Sequence, residues 1–269
     1  MSLFTQIQTL APQKGLSILA GHLTHCRIKW LKNALIRLFI HIYKIDLEDA
    51  ASSNLADYPH FNAFFTRHLK SGLRTFPGKK ILGSPVDGVV SQCGKVDQNR
   101  LFQAKGKTYT LDALLTEPQP VRFQSFITLY LSPRDYHRVH MPLDGVLTRM
   151  LYVPGKLFSV NPQTVLNVDE LFAKNERLIC WFDTPKGKMV VILVGAMLVG
   201  SMATSWAGLV CPPHGRKIVH YDYQHQPVAL KQGEELGYFQ FGSTVIVLTE
   251  WSVDYQVSPE QWVALGQGL

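Results

Sequence analysis

From about Lys80 to its C-terminus the chain consists of short runs of Val, Ile and Leu broken by Gly, Pro, Asn and Asp, and this texture constrains the fold more than any other feature. The runs at 86–91, 126–131, 146–153, 177–182, 190–194 and 243–249 have the length of strands and are bounded by turn formers, so strands dominate this body. With 269 residues and 46% hydrophobic content the chain can bury a core in one large domain, or in a domain with an appendage. No tandem repeat or low-complexity linker divides it. The expected class is α+β, with a helical region at 1–75 followed by a β-rich domain at 76–269.

Charge is concentrated at the other end. Residues 1–45 carry Lys14, Arg27, Lys29, Lys32, Arg37 and Lys44 and no acid, so six of the seven net positive charges lie there. That asymmetry points to an anionic surface met by the N-terminus and away from a nucleic-acid groove, and no nucleic-acid partner is expected. Across 28–45 the apolar residues Ile28, Leu31, Leu35, Leu38, Phe39 and Ile42 recur at helical spacing, while Lys29, Asn33, Arg37 and His41 mark another face. Four cations interrupt the stretch, which excludes a membrane span. A basic helix with Trp30, Phe39 and Tyr43 near its apolar side can lie among lipid headgroups, and one packed on its own domain with solvated lysines fits the same pattern. A second helix is expected over 61–69, with Phe61, Phe64, Phe65 and Leu69 on one side.

Four cysteines without C-x-x-C spacing suit a reducing compartment. The first residues lack the charged leader and cleavage pattern of a secretory signal. A mitochondrial presequence fits less well than a folded basic helix, because the region is Lys-rich, poor in serine and continuous with folded sequence.

Three segments join reactive side chains to unusual backbone freedom: Ser84-Pro85-Val86-Asp87-Gly88, Ser132 to Pro142 with His137 and His140, and Phe241-Gly242-Ser243-Thr244. Alone, Asp87 is a turn aspartate. Two histidines three residues apart are either paired loop side chains or functional ones, and no H-E-x-x-H pattern or cysteine cluster supports a metal. Ser243 does not sit in a G-x-S-x-G elbow, since Phe241 and Val245 stand where glycine is required, so an ordinary serine hydrolase fits poorly. A serine directly after glycine can instead attack its own preceding carbonyl.

Together these segments resemble the phosphatidylserine decarboxylase family. Gly242-Ser243-Thr244 is similar to its self-processing site, with Phe241 in place of the usual Leu. Pro85-Val86-Asp87-Gly88 resembles its aspartate motif, and Tyr136-His137-Arg138-Val139-His140-Met141-Pro142 its double-histidine motif. Further similar stretches are Phe61-Asn62-x-Phe64-Phe65-Thr66-Arg67, the run Val153-Pro154-Gly155-x-Leu157-Phe158-Ser159-Val160-Asn161, Asn175-Glu176-Arg177, and Val194-Gly195-Ala196-x-Leu198-Val199-Gly200-Ser201. They fall in matching order from about 55 to 250.

The resemblance implies a processing triad in which Asp87 orients His140 and His140 takes the Ser243 proton as its oxygen attacks the Gly242 carbonyl. The resulting ester eliminates to a dehydroalanine, which hydrolyses to ammonia and a pyruvoyl group at position 243. It further implies decarboxylation of phosphatidylserine to phosphatidylethanolamine and CO2 through a Schiff base to that pyruvoyl group, with no metal. His137 would return a proton to the substrate, and Phe158, Ser159, Val160 and Asn161 would shape the headgroup site. A barrel-sandwich-like sheet arrangement, a β chain 1–242 with an α chain 243–269, and a homodimer belong to the same set of implications. So does a peripheral place on the cytoplasmic face of the cell membrane, where the substrate lies in an anionic bilayer and a basic amphipathic helix serves for docking.

Overall fold

The computed structural model describes Gln8 and residues 13–104, 106–196, 201–211, 216–240 and 243–269. Its N-terminal part holds α1 (Gln13–Thr24), α2 (Lys29–Tyr43) and, after a single 3-10 turn at Leu55–Asp57, α3 (Phe61–Phe65). Helix α2 packs Ile36 and Phe39 onto Phe61, Phe64 and Phe65, with the Phe39 and Phe61 rings edge to face at 5.1 Å. The buried stripe is therefore narrower than the spacing predicts: Ile28, Leu38 and Ile42 stay exposed. Lys32 is buried, because its ammonium donates to the carbonyls of Leu55 (2.7 Å) and Tyr58 (2.5 Å) while its stem covers apolar surface. The helix expected over 61–69 stops at Phe65, where the Thr66 hydroxyl donates back to the Asn62 carbonyl (2.8 Å) and Leu69 turns to bridge Ala50. No helix among the described residues is long and apolar enough to cross a membrane.

The body is strand-rich. In chain order it contains β1 (Gly88–Lys95), β2 (Arg100–Ala104), β3 (Lys107–Thr110), β4 (Ser125–Leu131), β5 (Arg138–His140), β6 (Gly145–Val153), β7 (Arg177–Thr184), β8 (Gly187–Val194), β9 (Met202–Thr204), β10 (Gly208–Cys211), β11 (Val219–Asp222), β12 (Val228–Leu230), β13 (Glu235–Phe239), β14 (Ser243–Thr249) and β15 (Trp262–Val263). Short helices α4 (Leu111–Leu115), α5 (Pro162–Asn167) and α6 (Leu171–Lys174) lie between them. A large antiparallel sheet runs β11-β6-β7-β8-β14-β4-β1-β15, with β12 also paired to β6, and a smaller one runs β10-β9-β13-β5.

The run 243–249 coincides with β14 at both ends. Val86 and Asp87 were expected in a strand, but they bend and β1 begins at Gly88. Only glycine fits there, since a Cβ would lie 2.6 Å from the Tyr130 carbonyl oxygen. Strand β14 is buried on both faces. Val245 and Val247 enter one core with Ile127, Leu129, Val139, Leu236 and Phe239, while Ile246 and Leu248 enter a second with Phe126, Phe158, Ile192 and Val194. A central strand with two cores reads as a continuous apolar run, so the side-chain alternation that marks a half-buried strand is absent here.

Candidate active site

Ser243 opens β14 and pairs with Leu131, the last residue of β4, so the segment 132–137 leaves the sheet beside it. By strand alternation its side chain shares the face of Val245 and Val247, the core that also takes Val139 from β5 and Phe239 from β13. Ser243 is fully buried, and its hydroxyl has no hydrogen-bond partner among the described residues. A buried hydroxyl left open in this way costs free energy, and the neighbouring Thr244 hydroxyl is open in the same way. Gly242, the other side of the expected cleavage point, and Phe241 lie outside the described residues, as do residues 197–200 of the Val194 to Ser201 motif.

The turn that follows β4 is folded by Asp135, whose carboxylate accepts from both the backbone N–H and the hydroxyl of Ser132 (2.7 Å each). It delivers His137, completely buried, against the Phe65 ring at a centroid distance of 4.1 Å. His137 Nδ1 donates to the Asp135 carbonyl (2.8 Å), so in the neutral ring Nε2 is the acceptor, and Nε2 has no partner among the described residues. Burial pushes the His137 pKa down to about 3, with the Arg67 cation adding to the effect and the Asp135 hydrogen bond opposing it. The imidazole is therefore neutral at pH 7 and carries an open lone pair. Its backbone carbonyl accepts from Phe239 N–H (3.0 Å), tying it to the strand that leads into Ser243.

His140 is placed differently. It ends β5, its Nδ1 donates to the Gly233 carbonyl (2.8 Å), and its Nε2 lies 3.1 Å from the Tyr136 hydroxyl, which donates to it. Burial lowers its pKa as well, partly offset by the Gly233 hydrogen bond. Asp87 spends its carboxylate on Arg74, at 2.8 and 3.2 Å, and on the Leu265 backbone N–H at 2.6 Å. The hydrogen bond expected between Asp87 and His140 is thus not formed in this arrangement: the Gly233 carbonyl orients the ring, and Tyr136 occupies its lone pair. Neither Arg74 nor Gly233 carries a signal in the sequence, because each meets its partner through tertiary contact alone.

The stretch 158–161 is held tightly. Phe158 and Val160 are core residues, and the Asn161 side chain caps α5 by accepting from Thr164 N–H (2.8 Å). Asn175 links Phe158 to the large sheet, its amide donating to the carbonyls of Phe158 (2.8 Å) and Gly195 (2.9 Å). Gly195 follows Val194, which pairs with Thr244, so this stretch is anchored one strand from Ser243. Two residues outside the expected set secure it: Gln13 Oε1 accepts from Leu157 N–H, and Gln8 Oε1 from Ser159 N–H, both at 2.8 Å. Among the described residues no group of three or more His, Cys, Asp or Glu is placed to hold a metal ion.

Comparison with known proteins bears on the same segments. The family model described as phosphatidylserine decarboxylase matches residues 61–269, and a second, described as PSD, matches residues 3–44. The chain belongs to the phosphatidylserine decarboxylase family. The phosphatidylserine decarboxylase proenzyme of Pseudomonas fluorescens is 48% identical over 279 residues, covering 99% of this chain and 96% of that one. Those of Francisella philomiragia and Azotobacter vinelandii are 49% and 51% identical, each covering 91% of this chain, and 89% and 88% of their own lengths. Within the phosphatidylserine decarboxylase match lie Asp87, His137, His140 and Ser243, and also Arg74 and Tyr136, which contact two of them.

Proposed function

We propose that this chain matures by cutting itself between Gly242 and Ser243, and that Ser243 becomes the pyruvoyl end of a 27-residue chain, 243–269. Family membership makes the reaction decarboxylation of phosphatidylserine to phosphatidylethanolamine and CO2. The observation that carries the maturation is the buried, unpartnered Ser243 hydroxyl directly after a glycine. A group made from that serine fits the site, because it needs no ligand set beyond the residue itself. When present, the pyruvoyl carbonyl supplies an electron sink for the pair released with CO2.

The histidines divide the proton work. His140 takes the Ser243 proton during cleavage, after its lone pair is released by Tyr136, and His137 moves a proton at the substrate carbon during turnover. One observation favours the exchanged assignment: His137 Nε2 is a buried acceptor without a partner among the described residues, whereas His140 Nε2 is engaged. The small sheet, packed across the Val139, Leu236 and Phe239 core from β14, supports a barrel-sandwich-like arrangement. Incubation with phosphatidylserine vesicles should yield phosphatidylethanolamine by lipid mass spectrometry, and intact mass should show two chains. An active but uncleaved protein without a carbonyl reactive toward hydroxylamine would overturn the maturation.

Docking to an anionic bilayer from the cytoplasmic side is proposed for α1 and α2. Leu19, Trp30, Leu38 and Ile42 are exposed there, Trp30 by 73%, beside the exposed cations Arg27, Lys29 and Arg37. Removing the helices would also remove Ile36 and Phe39 from the helical core, so side-chain replacement is the cleaner test. Trp30→Ser, Leu38→Ser and Ile42→Ser combined should weaken co-sedimentation with anionic vesicles by about tenfold or more, given ~1.5–3 kcal/mol per buried apolar side chain, while self-cleavage proceeds. Unchanged vesicle binding would remove the docking role.

A further inference from the structure

Beside the 132–137 turn lies a cavity of about 370 Å³, large enough for a polar headgroup and lined mostly by charged and polar side chains. Each of its four carboxylates already accepts a hydrogen bond, and two of them are ion-paired. Arg74 holds both Asp49 and Asp87, Asp135 is satisfied by Ser132, and Asp46 accepts from Glu48 N–H. Three further cations line the cavity, Lys44, Arg67 and Arg134, and none has an ion-pair partner among the described residues. Lys44 and Arg134 are exposed at the rim.

Arg67 is the unusual one. It is only 6% exposed, its guanidinium lies over the Phe64 ring at 5.4 Å, and its Nη2 donates to the Arg134 carbonyl (3.3 Å). Its Nη1 is buried with no hydrogen-bond partner among the described residues. Leaving a charged donor buried and open is costly, and an anion placed in the cavity would satisfy it. The location matches the chemistry of the reaction. Asp135 and Tyr136, which line the cavity, precede His137 in the turn, and Lys44 caps the C-terminal end of α2, on which Leu38 and Ile42 are exposed.

We propose that this cavity is the phosphodiester subsite of the decarboxylation site, with Arg67 holding the headgroup phosphate from within and Lys44 and Arg134 closing on it from the rim. This rests on the phosphatidylserine decarboxylase assignment and names which of its cations meet the substrate. A phosphate oxygen accepts from Nη1 and leaves the serine portion free to reach toward His137 and Ser243. Free inorganic phosphate offers the same oxygens, so the test must separate the two.

The uncleaved Ser243→Ala chain, which cannot turn over, is titrated calorimetrically with glycerophosphoserine, L-serine and inorganic phosphate. Glycerophosphoserine should bind at least tenfold tighter than either of the others. Adding Lys44→Ala and Arg134→Ala, both surface changes, should weaken glycerophosphoserine about tenfold or more without altering serine, and Arg67→Gln should do so by about ten- to hundredfold, the usual range for a lost charge-assisted hydrogen bond. In the mature enzyme the rim pair should raise KM more than it lowers kcat. Equal binding of glycerophosphoserine and serine, or no loss in the rim variant, would overturn the subsite. Tightest binding by inorganic phosphate would reassign it to the free anion. Tight glycerophosphoserine binding in a protein whose wild type releases no CO2 would sink the enzymatic assignment and leave the subsite standing.

Discussion

Ser243→Ala is expected to remain one chain of 269 residues, inactive and unreactive toward hydroxylamine, while the wild type separates into residues 1–242 and 243–269. The substitution removes a single oxygen from a fully buried position where it makes no hydrogen bond among the described residues, so the fold loses no such bond and should be little weakened. All of the effect should fall on chemistry. Without the hydroxyl no ester forms, and without cleavage no pyruvoyl group exists, so turnover should drop to the background of the assay. Intact-mass measurement and labelled CO2 release on the same preparations check both halves. A variant that cleaves normally would place the nucleophile elsewhere.

His140→Ala is expected to stay whole, and His137→Ala to mature but decarboxylate about 10²–10⁴-fold more slowly, the usual contribution of one acid–base group. The side chains differ enough to separate cleanly. His140 is held between Gly233 and Tyr136, whereas His137 is neutral, enclosed, and open at Nε2. Maturation is followed by denaturing gel and turnover by CO2 release, after circular dichroism confirms folding, since loss of a fully buried ring leaves a cavity. If His137→Ala stays whole and His140→Ala matures, the open lone pair identifies the cleavage base and the two roles exchange. If both variants behave as wild type, the histidines are structural and another base must serve Ser243.

Much of this was legible in one dimension. The bounds of β14 follow from its own composition, because Ser243–Thr249 is an unbroken run of strand formers between a glycine and the turn after it. The candidate residues Asp87, His137, His140 and Ser243 are each ambiguous alone and were singled out by the resemblance of their motifs, taken in order, to one family. Harder to see was which face of α2 turns inward. Its apolar residues cover more than one stripe, and the choice of Ile36 and Phe39 over Leu38 and Ile42 is made by the aromatic cluster of α3, which is remote in sequence.

The chain alone determined strand content, the order of the motifs, the cationic N-terminal end and the reactive side chains, since these depend on residue type and short-range spacing. Only the tertiary structure decided the partners. It gave Asp87 to Arg74 and Leu265, His140 to Gly233 and Tyr136, and left Arg67 beside a cavity with an open donor. The reason is physical: a hydrogen bond depends on separations of a few tenths of an ångström between groups up to 178 residues apart, and no local propensity encodes such a distance.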